Sequence, residues 1–251
     1  MKRRIIARAT VSAVLVASLS AGLAGCSGAD DRETQPVEAA QGSAWAQPPL
    51  IESAARDGGT VLVRGRAGAD ARVVLRGADG AAVAVGADSS GRFELRVPAA
   101  FGDTRLTPEI QVGEDAAPSP ESLVLIRGGD GPMVLIASGE PTVRLDGRGV
   151  LDAVDSDGSA VIMSGWVSGP TPTVLVDGVR AVVVGQSGGR WRATAPGGAP
   201  AVIQVGGERF VFPGFGTQSD FTPMRAGQGW RFTWPTGPSG RQTTWLPDRA
   251  S

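Results

Sequence analysis

The chain has 251 residues, of which 41% are hydrophobic and 20% are charged, and its formal net charge is −1. It contains no histidine, tyrosine or asparagine, and only one lysine and one cysteine. Catalytic sets that need an imidazole, and zinc sites with imidazole or several thiolate ligands, cannot be built from this composition. Carboxylate chemistry is the main enzymatic option left. Because no spacing selects a carboxylate pair, we expect no enzyme activity, no cofactor and no metal site.

The first 25 residues have the three parts of an export signal. A basic start runs from Lys2 to Arg8, residues 11–19 are mostly apolar, and small residues follow. The apolar stretch is too short to span a bilayer as a permanent helix. Four of the 24 basic residues lie in this signal, which leaves 20 basic against 25 acidic side chains in the rest of the chain. That acidic balance argues against a nucleic-acid partner, which requires a basic surface.

Cys26 ends the run Leu23-Ala24-Gly25-Cys26 directly after this signal. The run resembles the lipobox of bacterial lipoproteins, which implies cleavage before Cys26 and a lipid anchor, with acyl chains such as palmitate, on that residue. Two or more acyl chains hold a protein stably on a membrane. In Gram-negative lipoproteins an aspartate after the cysteine favours the inner membrane, so Ser27 implies the outer membrane, facing the periplasm. The alternative is an ordinary secretory signal with a cysteine near its cleavage site by chance.

The rest of the chain is predicted to form a tether and two repeated domains. Residues 26–48 are polar and lack apolar periodicity, which is typical of a flexible tether. From Leu50 onward the sequence repeats with a period of about 100 residues, so we expect domains over 49–148 and 149–251. The matched segments keep one order along the chain: Leu50-Ile51-Glu52 with Val150-Leu151-Asp152, Val61–Gly65 with Val161–Gly165, Val73–Gly77 with Val174–Gly178, Gly91–Phe93 with Gly189–Trp191, and Ile110–Gly113 with Ile203–Gly206.

Each repeat consists of short β-branched runs, such as Thr60–Arg64 and Arg72–Leu75, separated by glycine, aspartate and serine. This succession of strands and turns predicts an all-β sandwich or barrel. The segment Arg92–Val97 alternates polar and apolar residues, as a half-buried strand does. Arginines on these strands are expected to face solvent between inward-facing valines.

The motif order within each repeat resembles that of bacterial immunoglobulin-like domains. The resemblance is carried by a Val-x-Val-x-Gly strand, a valine-rich strand, and the endings Gly91-Arg92-Phe93 and Gly189-Arg190-Trp191. It implies two tandem immunoglobulin-like β-sandwich domains in which the glycine forms a turn and the aromatic residue enters the core. Such domains act as spacers or binding modules and share no catalytic residues, so the resemblance assigns no site.

The C-terminal segment is the candidate binding surface. The aromatic residues Trp230, Phe232 and Trp234 alternate with polar ones, which puts their side chains on one face of a strand. The following segment is expected to return as a second strand, with Arg241 opposite Trp234 and Trp245 opposite Trp230, so that the four aromatic side chains share one face. Two interpretations are open. The face either closes the core of the second domain or forms an exposed platform for sugar rings or a partner protein.

Two other segments have competing interpretations. Asp155–Gly158 contains part of a calcium-loop pattern, but Ala153 stands where the EF-hand spacing needs an acid, and a tight turn fits better. Residues 114–122, which include Pro118, have no counterpart in the second repeat and predict a mobile loop, which either carries binding or is an insertion without a role; the insertion is favoured.

These features together predict a non-enzymatic lipoprotein of the cell envelope that acts as a structural or protein-binding accessory. Its expected partners are the membrane, through lipid on Cys26, and an envelope protein. The alternative is a glycan-binding module that holds peptidoglycan or polysaccharide on the C-terminal aromatic residues. A carboxylate-based hydrolase is the third hypothesis, and it needs two carboxylates facing each other in a cleft.

Overall fold

The computed structural model describes residues 47–112, 115–217 and 220–249. These residues form antiparallel strands and two short 3-10 helices, Ala99–Phe101 and Arg127–Gly129, so the predicted all-β sandwich fold is confirmed. All described residues belong to one compact unit. The division into domains at residue 148 therefore stays a prediction, and residues 47–148 and 149–249 are called the N-terminal and C-terminal halves.

The N-terminal half forms two sheets. Its strands are, in chain order, β1 (Leu50–Asp57), β2 (Thr60–Arg66), β3 (Arg72–Gly77), β4 (Ala82–Gly86), β5 (Arg92–Pro98), β6 (Thr104–Val112), β7 (Asp115–Pro118), β8 (Glu121–Leu125), β9 (Met133–Ala137) and β10 (Val143–Arg144). Sheet 1 has the strand order β1-β2-β5, and sheet 2 has the order β10-β9-β8-β6-β3-β4, with β7 also paired to β6.

The C-terminal half also forms two sheets. Its strands are, in chain order, β11 (Ala153–Ser156), β12 (Val161–Trp166), β13 (Val174–Val176), β14 (Val179–Arg180), β15 (Val182–Ser187), β16 (Arg190–Ala195), β17 (Ala201–Val205), β18 (Glu208–Phe212), β19 (Met224–Arg225), β20 (Gly229–Pro235) and β21 (Arg241–Pro247). Sheet 3 has the order β15-β16-β12-β11-β21-β20-β19, and sheet 4 has the order β14-β13-β17-β18.

Each half has its own hydrophobic core between its two sheets. In β5, Phe93, Leu95 and Val97 are buried in the N-terminal core, while the residues between them are exposed. This period of two confirms the predicted half-buried strand. The exposed arginines of the neighbouring strand are paired across the sheet, since Arg64 Nε donates a 2.9 Å hydrogen bond to Glu94 Oε2. Burial of alternate apolar side chains therefore provides the main stabilisation of each half.

The first strands of the two halves repeat the same register. Gly65 lies opposite Phe93 in the β2–β5 pair, and Gly165 lies opposite Trp191 in the β12–β16 pair. A Cβ atom at either glycine would come within 2.1 Å of a backbone carbonyl oxygen. Glycine is therefore required at both positions for the same reason, which supports the sequence match between the repeats.

The later strands of the two halves are arranged differently. In the N-terminal half, β8, β9 and β10 extend sheet 2, the sheet that contains β3 and β6. In the C-terminal half, β19, β20 and β21 extend sheet 3, the sheet that contains β11, β12 and β16. The additional strands therefore extend one sheet of the repeated unit in the N-terminal half and the other sheet in the C-terminal half.

A third hydrophobic cluster lies between the two halves, where these extensions meet. Strand β8 is buried on both faces, since Leu123 and Leu125 enter the N-terminal core whereas Val124 contacts the C-terminal half. Strands buried on both faces have continuous rather than alternating apolar sequence. The buried members of this inter-half cluster are Val124, Ile126, Val134, Ile136, Ala153, Phe232, Trp234 and Leu246.

The mobile loop predicted for residues 114–122 is wrong for the part that the structure describes. Residues 115–118 form β7, which pairs with β6, and Glu121 begins β8. The backbone N–H of Ser119 donates a 2.7 Å hydrogen bond to the carbonyl oxygen of Pro108. Backbone pairing thus orders a segment whose proline and serine content favoured a loop.

Candidate functional site

Cys26, the predicted lipidation site, lies outside the described residues, as do the predicted signal and most of the tether. Within the described ranges, no helix has the length and apolar character needed to cross a bilayer.

The C-terminal hairpin forms as predicted, but its register is shifted by one residue. Trp234 lies opposite Gln242 rather than Arg241, and Trp245 lies opposite Arg231 rather than Trp230. The predicted pairing is wrong because Pro235 continues the strand, so that the connecting loop is shorter. A shift of one residue moves a side chain to the other face of a sheet, and Trp245 therefore points away from the other three aromatic residues.

The structure also corrects the interpretation of these aromatic residues as an exposed platform. Phe232 and Trp234 are buried in the inter-half cluster, with Trp230 partly buried beside them. Trp245 is buried in the C-terminal core, where its Nε1 donates a 2.9 Å hydrogen bond to the carbonyl oxygen of Ala226. The three buried rings offer no face for sugar stacking and act as core and inter-half packing, while the guanidinium of Arg225 lies 5.1 Å from the ring centre of Trp230.

The candidate site is instead a cleft of about 530 Å³ between the halves. Strands β11, β20 and β21 of sheet 3 pack against sheet 2 through the inter-half cluster, and residues of β12, β16 and β15 beside them form the floor of the cleft. One wall is formed by the N-terminal half, with the ends of β8 and β9 and the segment that leads into β10. Concave surfaces with apolar walls and a few polar groups are the usual form of ligand sites.

Two arginines lie on the floor because successive side chains of β16 point to opposite faces of sheet 3. Trp191 points into the C-terminal core, where its Nε1 donates a 3.0 Å hydrogen bond to the carbonyl oxygen of Val150. Arg190 and Arg192, on either side of it in the strand, line the cleft and are exposed. A Cβ atom at position 185 would lie 3.4 Å from Nε of Arg192, so Gly185 of β15 leaves room for that side chain across the strand.

The wall combines apolar side chains with two carboxylates. Leu135, Ile136 and Val143 line the cleft together with Glu121 and Glu140. Burial raises the pKa of the Glu121 carboxyl, and the positive charge opposite, on β16, partly offsets that rise. The cleft therefore has a positive floor and a wall that is apolar and acidic.

A buried carboxylate joins the two halves beside the cleft. Asp155 Oδ2 accepts a 2.8 Å hydrogen bond from the backbone N–H of Thr142, and its Oδ1 accepts bonds of 2.7 and 2.6 Å from the hydroxyls of Thr142 and Thr244. Burial raises the pKa of Asp155, and these hydrogen bonds oppose the rise. Asp157 instead accepts hydrogen bonds from Ser159 in a tight turn. The two aspartates thus bind different partners, and the described residues contain no group of three or more acidic, His or Cys side chains placed to hold a metal.

Sequence reasoning missed the residues of the cleft. Glu121 was assigned to a loop, and Arg190 was considered only as part of the turn motif before Trp191. Two signals were available: the Arg-Trp-Arg alternation at 190–192, which puts both arginines on the outer face, and the continuous apolar runs of β8 and β9, which indicate a strand pair covered on both sides.

No protein-family model matches the chain, and no curated protein matches it significantly.

Proposed function

We propose that the protein is a non-enzymatic, lipid-anchored protein of the cell envelope that binds a partner protein in the cleft between its two halves. The observation that carries this proposal is the cleft itself, with arginines on its floor and apolar side chains on its wall. Both sides of the cleft are fixed by buried contacts, namely the inter-half cluster and the hydrogen bonds of Asp155. A site held in this way is organised before its ligand arrives, which lowers the entropic cost of binding.

The lipid anchor and the outer-membrane location follow from the lipobox resemblance. Lipid on Cys26 holds the chain at the outer membrane, facing the periplasm. The tether before residue 49 lets the folded halves extend away from the membrane surface. The folded halves are two immunoglobulin-like domains derived from one repeated unit, as the shared glycine–aromatic pairing of Gly65 and Gly165 supports.

A protein partner is favoured over a glycan because, of the four aromatic residues first considered for sugar stacking, Phe232, Trp234 and Trp245 are buried and Trp230 is partly buried. Trp191 lines the cleft but is only 1% exposed, so it offers no ring face either. Aliphatic walls next to arginines are typical of protein interfaces, in which arginine is enriched.

A carboxylate-based hydrolase is the second candidate, because Glu121 and Glu140 line the same cleft. The raised pKa of the half-buried Glu121 is the property that a general acid needs. Glu121→Gln and Glu140→Gln variants test this candidate against purified peptidoglycan. Release of soluble fragments by the unmodified chain, lost in both variants, would replace the binding proposal.

Membrane fractionation tests the anchor. We expect Cys26→Ser to move the chain from the membrane fraction to the soluble fraction, because an unacylated chain has no lipid to insert. The matched variant Ser27→Asp keeps the lipid and is expected to remain with membranes, moving to the inner membrane in a Gram-negative host. Persistence of the Cys26→Ser chain in membranes would contradict the lipoprotein assignment.

Photo-crosslinking in cells tests partner binding. A photoreactive residue at Ser187, on the cleft floor, is expected to form a discrete protein adduct. The same residue at Arg96, an exposed position on sheet 1, is the control and should form none. Adducts at both positions, or at neither, would count against partner binding through the cleft.

A further inference from the structure

Strand β15 is an open edge of sheet 3 beside the cleft. It pairs with β16 on one side, and no strand of the described residues pairs with its other side. The strand Val182–Ser187 contains neither a charged residue nor a proline, two of the usual protections of an edge, although its register with β16 shifts at a bulge between Val183 and Gly185. Val182 and Val184 are 64% and 47% exposed. The backbone of β15 is therefore available to pair with another extended chain.

The charge on the cleft floor beside this edge is positive, whereas the wall across the cleft carries Glu121 and Glu140. Arg190 and Arg192 lie on β16, the strand next to β15, and line the cleft. Neither of them takes part in any ion pair or side-chain hydrogen bond among the described residues, whereas Arg64 of sheet 1 pairs with Glu94 at 2.9 Å. Arg190 does act electrostatically on Glu121 across the cleft. Two arginine forks thus remain available for carboxylates of a ligand.

We propose that the cleft binds an extended acidic peptide segment of a partner protein, which adds to sheet 3 as a strand beside β15. This inference rests on the proposed function of partner binding and specifies the chemistry of the partner. The main chain of the peptide pairs with β15, while its cleft-facing aspartate or glutamate side chains bind Arg190 and Arg192. Apolar side chains of the same peptide contact Ala137, Pro141 and Val143, which are the partly exposed apolar residues of the wall.

A second copy of the chain fits this edge less well. If β15 paired with β15 of another copy, the Arg192 side chains, each reaching across Gly185, would approach each other from the two sheets. Like charges brought together in this way disfavour association, whereas an acidic strand supplies the opposite charge. Charge complementarity with the two floor arginines therefore favours an acidic peptide over a second copy.

Peptide binding to the full lipidated chain in detergent micelles tests the proposal. The probe is a fluorescent peptide of alternating valine and glutamate. One comparison peptide has lysine in place of glutamate, and another keeps glutamate but has alternate backbone amides methylated. We expect the acidic peptide to bind about tenfold or more tightly than either, because one comparison removes the charge match and the other the strand pairing. Equal binding of all three would overturn the proposal.

Variants and hydrogen exchange locate the binding. We expect the double variant Arg190→Ala/Arg192→Ala to bind the acidic peptide about tenfold or more weakly. The matched surface variant Arg64→Ala/Arg66→Ala is expected to bind it with unchanged affinity. Exchange of the amides in Val182–Ser187 should slow when the acidic peptide is bound. Unchanged exchange there, or self-association of the chain that the peptide does not reverse, would refute addition at β15.

The outcomes separate this inference from the proposed function. A discrete adduct from Ser187 in cells together with no preference for the acidic peptide would keep partner binding and exclude an acidic strand. Preference for the acidic peptide in micelles without an adduct in cells would support the chemistry of the cleft and count against the proposed cellular role.

Discussion

The Asp155 carboxylate of the C-terminal half accepts a 2.8 Å hydrogen bond from the backbone N–H of Thr142 in the N-terminal half. Among the described residues, no arginine lies within ion-pair distance of this buried carboxylate. The two halves are therefore joined by a buried carboxyl group whose hydrogen-bond partners are all neutral. Such a group makes inter-half stability depend on pH.

Asparagine at this position is expected to preserve the contact. With its carbonyl oxygen toward the Thr142 N–H, the amide of Asp155→Asn directs its two hydrogens at the hydroxyls of Thr142 and Thr244. At pH 7 we expect this variant to be at least as stable as the unmodified chain, because it removes the cost of a buried charge. Asp155→Ala leaves the Thr142 N–H without an acceptor and should lose roughly 1–3 kcal/mol. Denaturant unfolding measures both.

The contribution of Asp155 to folding stability is expected to change with pH in one direction. Because burial raises the pKa of Asp155 in the folded state, that state binds the proton more tightly than the unfolded chain does. This residue's contribution to stability is therefore greatest below the unfolded pKa of about 3.9 and falls as pH rises through the folded pKa. The advantage of Asp155→Asn over the unmodified chain should grow with pH over that window. An advantage that grows toward acid pH would show that the sign is wrong.

Two buried tryptophans should respond differently to the same substitution. Trp245 Nε1 donates to the carbonyl oxygen of Ala226, whereas Trp234 Nε1 has no hydrogen-bond partner among the described residues. Both phenylalanine variants lose similar volume, but only Trp245→Phe loses a hydrogen bond. We expect Trp245→Phe to lower the free energy of unfolding by about 1 kcal/mol more than Trp234→Phe does. Trp245→Ala is expected to lower it by about 3–5 kcal/mol. Equal losses for the two phenylalanine variants, measured by urea unfolding, would contradict this account.

The paired glycines of the repeat can be tested together. Gly65→Ala and Gly165→Ala each place a Cβ atom 2.1 Å from a carbonyl oxygen, so the backbone must shift. We expect each to lose roughly 1–3 kcal/mol or more. Gly59→Ala is the control, since a Cβ there meets nothing within 4 Å. A thermal midpoint that changes for only one of the two repeat glycines would show that the halves do not share this constraint.

A buried and an exposed ion pair provide a further contrast. The side chain of Arg144 is 3% exposed, and it binds Asp146 in its own half and the carbonyl oxygen of Pro247 on β21. Arg144→Ala therefore leaves a partly buried carboxylate unpaired and breaks a bond between the halves, so we expect a loss of about 3 kcal/mol. Arg225 forms an exposed pair with Asp248, and Arg225→Ala should lose about 1 kcal/mol or less. Similar losses by calorimetry would argue against a role for Arg144 in joining the halves.

The sequence was informative wherever a single strand determines its own burial. The alternation of Arg92–Val97 predicted which side chains of β5 enter the core, because the period of two is local. The glycine–aromatic endings also predicted equivalent positions in the two repeats, and the shared register confirms that equivalence. The all-β class followed from the same local patterns.

Local patterns did not determine how the two halves meet. The hairpin register depended on whether Pro235 joined the strand or the loop, and one residue moved Trp245 to the opposite face. The cleft depends on Glu121 of one half and Arg190 of the other, which only inter-half packing brings together. No periodicity within either repeat encodes that contact, so the candidate site could not be predicted.

Because the two halves extend different sheets, the contact between them joins two different surfaces. The contact between the halves is heterologous, since the β8–β9 surface of one repeat meets the β20–β21 surface of the other. A heterologous contact between identical units would continue indefinitely into a filament. Among the described residues the two complementary surfaces lie on different halves and cover each other within one chain, so neither is left exposed to start such a filament.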